Sequence, residues 1–212
     1  MTMEMSESYA SFHNRKALKN EVVGVHEDVA IFKQMAEDYD RAGNDALEEL
    51  AGKHPDVLDL LHKINSDDAS RKDYELFRSY KEAGGGELPR LINASFLPGL
   101  FAMLKDDITN YVSAVHKSEG YKFANQGLKE EDTIDQIINL DQARTFAHDA
   151  LIKQLQAITR AAKGAGIDTS WQSVIQLSEG EHTIDMRKRI QQWAERVADY
   201  LAKVSKKERS NA

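Results

Sequence analysis

Arg144 and His148 stand four residues apart in the run DQARTFAHDALIKQL, residues 141–155. A guanidinium keeps its charge at any ordinary pH and presents a planar fork of donors that suits carboxylate or phosphate. An imidazole titrates near neutrality and both accepts and donates protons. One helical turn apart, the two side chains can hold an anion, or serve a reaction that develops one.

Their setting makes the pair unusual. On a helical wheel of about 100° per residue with Leu151 at zero, Leu140, Ala147, Leu155, Ile158 and Ala162 fall within about 40°. Arg144 falls near 20° and His148 near 60° on the same wheel, so both lie on or beside the stripe that must pack. An unpaired guanidinium there would cost several kcal/mol, so an acceptor is expected. Asp141, one turn earlier, is one candidate, and Asp107, beside the stripe of the run LFAMLKDDITNYVSAVH, is the other.

Three uses of the pair remain open. The first is a polar network that fixes helix register, or an Arg whose head reaches the bundle edge. The second is a binding site in which Arg144 receives an anion and His148 adds a hydrogen bond. The third is catalysis by a hydrolase or ribonuclease, with His148 as general acid or base and Arg144 stabilising an anionic transition state. Small all-helical ribonucleases of the HEPN type carry an Arg and a His at a wider spacing than the three intervening residues here. The chain is similar to them in helical character and in two residue types only.

Other chemistry is scarce. The chain has no cysteine, which removes thiol catalysis, thiolate metal sites and disulfides, and suits a cytoplasmic protein. Asp59-x-x-His62 and Glu179-x-x-His182 are the two carboxylate–histidine spacings of the di-metal helical type, and the second straddles Gly180. No metal or cofactor is expected from them. Gly84-Gly85-Gly86 lacks the spacing of a phosphate-cradling loop and reads as a connector. The run HED at 26–28 reads as a solvated charge cluster, and the Lys-rich KVSKKERSNA at the C-terminus as a solvated helix end.

A second candidate surface lies near the C-terminus. Met186, Ile190, Trp193, Val197, Tyr200, Leu201 and Val204 form a helical stripe flanked by Arg189 and Arg196. This is a core stripe, or else a partner-binding face, because Trp, Tyr and Arg dominate binding hot spots. Trp171 would extend such a face.

The elements that must position these residues are helices. Twelve Gly and three Pro in 212 residues leave too little turn chemistry for an all-β fold, while 41% hydrophobic and 30% charged residues suit a folded chain. A short N-terminal helix is expected, then a longer one near 20–42 stopped by AGND at 42–45. Two short helices split at His54-Pro55 follow, and SDDAS caps another. Beyond the glycines come an amphipathic helix carrying Leu100, Leu104, Ile108, Tyr111 and Val115, a long helix over about 130–163, a short one around Trp171, and a last one near 182–204. The expected fold is an all-α bundle of about seven to eight helices, with short N-terminal helices packed on three longer C-terminal ones. It forms a single domain, with possible subdomains 1–83 and 87–206 joined at Gly84–Gly86.

No apolar run is long enough for a membrane span, and the N-terminus lacks the apolar core of a secretory signal. The net charge of −7 disfavours general nucleic-acid binding. The expected function is therefore a non-enzymatic interaction or regulatory protein. It would bind another protein, or itself, through helix surfaces, with Arg144, His148, Asp141, Asp107, Trp193, Arg189 and Arg196 as the candidate residues.

Overall fold

A computed structural model describes residues 4–82, 86–128, 130–178, 180 and 182–210, with side chains from Glu27 onward. Among these residues the chain is helical throughout, with no strand. The elements are α1 (Glu4–Lys53), α2 (Pro55–Asn65), α3 (Arg71–Glu82), α4 (Glu87–Ser95), α5 (Leu97–Ala124), α6 (Glu131–Ala165), the single turn α7 (Trp171–Val174) and α8 (Ile184–Ser210). The all-α bundle expected from the sequence is what forms. Gly84 and Gly85 of the expected connector, and Glu179 of the second carboxylate–histidine spacing, lie outside the described residues.

The N-terminal part differs from expectation. Residues 4–53 form one helix, not a short helix followed by one that ends at AGND. Phe32, Met35, Tyr39, Ala46 and Leu50 are all buried and recur at helical spacing, so the core pays for continuity through Gly43. A helical glycine costs about 1 kcal/mol relative to alanine. Gly43 has a positive reason to be there: a Cβ at this position would sit 2.3 Å from Pro98 Cγ and 2.6 Å from its Cδ. Position 43 is thus where α1 accepts the proline ring that opens α5. Gly164 plays the same part between α6 and α4, where a Cβ would fall 2.6 Å from Asn93 Nδ2.

Local chemistry sets the remaining boundaries. Pro55 opens α2, where its missing N–H is not needed. Ser70 and Asp73 cap α3 reciprocally: Ser70 N–H donates to Asp73 Oδ2 at 2.8 Å, and Asp73 N–H to Ser70 Oγ at 3.3 Å. Gly166, at φ +74°, closes α6, with Ile167 N–H donating to Ala162 O at 2.9 Å.

Helix α1 packs on α4, α5 and α8, and α5 in turn carries α6 and α8 on its flanks. Buried side chains from Phe32 to Val197 make one continuous core. Its aromatic centre joins three helices: the ring of Phe32 lies 4.9 Å from that of Phe101 and 6.4 Å from that of Trp193, centroid to centroid. Trp171 Nε1 donates to Tyr39 Oη at 3.0 Å and ties α7 to α1.

The HED cluster is not wholly solvated. Glu27 is exposed, but Asp28 has no exposed surface, and its carboxylate accepts from two arginines of α8. Arg189 reaches it with Nη2 at 2.5 Å and Nη1 at 3.1 Å, and Arg196 with Nη1. Arg189 also donates through Nε to Val174 O at 3.1 Å. Both arginines therefore turn inward, and they clamp α8 to α1.

Two outcomes test this account. Asp28→Asn leaves two guanidinium groups facing a neutral amide and should lower stability by about 3 kcal/mol. Calorimetry would read this as a fall in Tm of roughly 6–12 °C. Gly43→Ala should destabilise through the Pro98 clash by about 1–2 kcal/mol net of its helix-propensity gain. By contrast Gly120→Ala, in α5 with nothing within 4 Å of the new methyl, should stabilise by up to about 1 kcal/mol, so urea midpoints of the two variants should move in opposite directions.

Candidate functional site

Helices α6 and α8 both pack on α5 and run in opposite directions: Gln156 approaches Ser178, while Arg144 meets Gln191. Between them lies a cleft of about 450 Å³, lined also by the buried Tyr111 of α5. The α6 wall supplies Asp141, Arg144, Thr145 and His148, and the α8 wall supplies Ile184, Arg187, Lys188 and Gln191. Lys122 of α5 closes one end.

The fork of Arg144 is placed by an amide: Nη2 donates to Gln191 Oε1 at 2.8 Å, and Gln191 Nε2 in turn donates to Glu195 Oε1 at 2.9 Å. The nearest carboxylate to Arg144 is Glu119, at 3.8 Å from Nη1. Neither expected partner takes that place. Asp141 accepts Lys122 Nζ at 2.7 and 2.8 Å and Ser118 Oγ at 2.6 Å. Those bonds, Lys122 first, hold its carboxyl below the usual range. Asp107 is half-buried on α5 outside the cleft lining, and burial together with neighbouring Asp106 raises its carboxyl.

His148 is 9% exposed, and its ring meets Tyr111 edge-on at 5.5 Å between centroids. Nδ1 lies 3.6 Å from Asp149 Oδ1, and Nε2 is buried with no hydrogen-bond partner among the described residues. Burial pushes the imidazole below its ordinary value of 6.5; Asp149 opposes this, while Arg187 and His182 add to it. Burial likewise raises the Tyr111 phenol, against the pull of Arg144.

The residues lining the cleft therefore include four basic side chains, Lys122, Arg144, Arg187 and Lys188, and one carboxylate, Asp141. Arg187 and Lys188 are exposed. On a chain of net charge −7, this is a local reversal of sign.

Compared with protein-family models, curated proteins and solved structures, the chain matches none.

Of the residues singled out in the sequence, the structure brings Arg144, His148 and Asp141 to this one cleft. It places Trp193, Arg189 and Arg196 elsewhere. Trp193 has no exposed surface and belongs to the core, with its Nε1 lacking a partner among the described residues. Trp171 is also buried, so no exposed aromatic face forms there. The arginines that flank the stripe serve Asp28 instead. Seven cleft residues were not candidates from the sequence: Tyr111, Lys122, Thr145, Ile184, Arg187, Lys188 and Gln191. Only Tyr111 had a signal, as a hydroxyl-bearing residue on an otherwise aliphatic stripe. No group of three or more His, Asp or Glu among the described residues is placed to hold a metal ion.

The depressed imidazole has a measurable sign. Above the ordinary His value both folded and unfolded chains carry a neutral ring, and the stability is complete. As pH falls below about 6.5 the unfolded chain binds the proton first, so stability is lost until the folded ring also titrates. Between pH 7 and 5, Tm of the parent protein should therefore drop more steeply than Tm of His148→Gln; parallel slopes would contradict the assigned burial.

Proposed function

We propose that this chain is a non-enzymatic interaction or regulatory protein that binds a partner protein through the α5–α6–α8 cleft. The observation that carries the reading is the sign reversal: four cations and one carboxylate line an open cleft on an acidic molecule. Such a cleft attracts anionic groups and steers their approach. Arg144 is already positioned by Gln191, so little side-chain ordering remains to be done on binding.

Hydrolytic or ribonucleolytic use of Arg144 and His148 has weaker support. The imidazole is nine-tenths buried against Tyr111, and the adjacent Thr145 hydroxyl donates to Asp141 O at 2.9 Å instead of facing the ring. A nucleophile and base within reach of each other, which catalysis would use, are not assembled. The interaction reading extends to a cytoplasmic location, supported by a chain without cysteine. No described helix is long and apolar enough to cross a membrane.

The test is affinity capture from the native host with the parent protein and with Arg187→Glu/Lys188→Glu. Both residues are exposed, so the reversal should leave Tm within about 1–2 °C. A partner protein should be recovered by the parent and lost, by at least about tenfold, with the double variant and at high salt. Equal recovery by both proteins would remove the cleft from the interaction. Substrate turnover lost in a stable His148→Ala would replace the binding reading with the enzymatic one.

A further inference from the structure

The cleft does not end at its charged walls. Asp141 and Thr145 also line a shallower depression on the outer side of α6, where Ile138 and Phe146 form the apolar surface. Ile138 and Phe146 line this depression together about 80° apart on α6, and Ile134 lies one turn before Ile138 and about 40° further round. Phe146 is 73% exposed, and Ile134 and Ile138 are each 48% exposed. On the opposite rim, Ile184 of α8 is 74% exposed. A cationic trough is thus bordered by apolar surface on both sides.

Resting on the binding reading above, we propose that this groove docks an acidic amphipathic helix of a partner protein. The partner's carboxylates enter the trough at Arg144, Arg187 and Lys188, and its apolar flank covers Ile138 and Phe146. Charge and length both favour this occupant. The trough's cations exceed its carboxylates, and Arg187 and Lys188 have no ion pair among the described residues, so an incoming carboxylate displaces no existing partner from either. The span from Ile134 to Phe146 is about 18 Å, or three to four turns of a docked helix. Apolar residues at i, i+3, i+4 and i+7 on that helix would meet the α6 stripe, as in groove-bound helices generally.

The surroundings disfavour a polyanion. Glu131, Asp132 and Asp135 are exposed on α6 beside Ile134 and Ile138, and they would repel a continuous phosphate backbone or an anionic lipid surface. A helix with a single acidic patch and an apolar flank avoids them.

The experiment uses fluorescein-labelled peptides of three to four turns, read by anisotropy against the whole protein. The panel comprises an amphipathic helix with Leu at i, i+3, i+4 and i+7 beside a Glu patch, a scrambled peptide of equal composition, and the Glu→Gln version. The patterned acidic peptide should bind at least about tenfold tighter than either control. That binding should weaken at least about tenfold with Arg187→Glu/Lys188→Glu and with Phe146→Ser, while Asp106→Asn, outside the groove, leaves it unchanged. Equal binding of the scrambled peptide, absence of binding, or preference for single-stranded RNA or anionic vesicles would overturn the proposal. So would a dimer in sedimentation that the charge reversal abolishes, since the occupant would then be a second copy. If host capture still depends on Arg187 and Lys188 while the panel fails, the docked element is not an acidic helix and the binding reading stands. If both fail, both fall.

Discussion

A carboxylate removed entirely from water must be neutralised where it sits, and Asp28 is such a group. It is neutralised by two guanidinium groups two helical turns apart on α8. One residue of α1 thereby sets how far α8 may rotate or slide, because both arginines must reach the same two oxygens. The face of α8 bearing Arg189 and Arg196 is committed to α1. Gln191, about 200° round the helix from Arg189, then necessarily turns away from α1 and toward α6. The cleft's cationic α8 wall follows from a buried pair on the other side of the same helix.

The fold was largely legible because its signals are local and repeated. The stripe over Leu104, Ile108, Tyr111 and Val115 is buried in full, and Gly166 ends α6 within three residues of the expected end. What misled was glycine at position 43. A glycine followed by two capping residues is a good local stop, yet Ala46 and Leu50 continue the buried stripe of α1 beyond it. The reason for the glycine is Pro98, far away in sequence, and no local reading shows which side chain a missing Cβ makes room for.

The candidate site was legible by half. Arg144 and His148 were conspicuous because polar groups on a packing stripe conflict with their surroundings. Their partners were not, because Gln191, Lys122 and Arg187 are ordinary residues on the polar sides of other helices. Only the packing of α6 and α8 on α5 makes them neighbours. The arginines of α8 show the same limit in reverse. Beside an aromatic stripe they suggest a binding face, and a single aspartate from the other end of the chain turns them into structural groups.

The neutral acceptor on Arg144 has a consequence for exchange. Had Asp141 or Asp107 held the guanidinium, an incoming anion would have to compete with a fixed negative charge of equal strength. Gln191 supplies a dipole at 2.8 Å and Glu119 a carboxylate only at 3.8 Å, enough to aim the fork without a short ion pair. The amide can turn to its neighbour Glu195, which it already contacts, and leave Arg144 to whatever arrives. The cation is thus stored oriented and only loosely paired, with Glu119 no nearer than 3.8 Å, like a latch held open by a spring rather than by a lock.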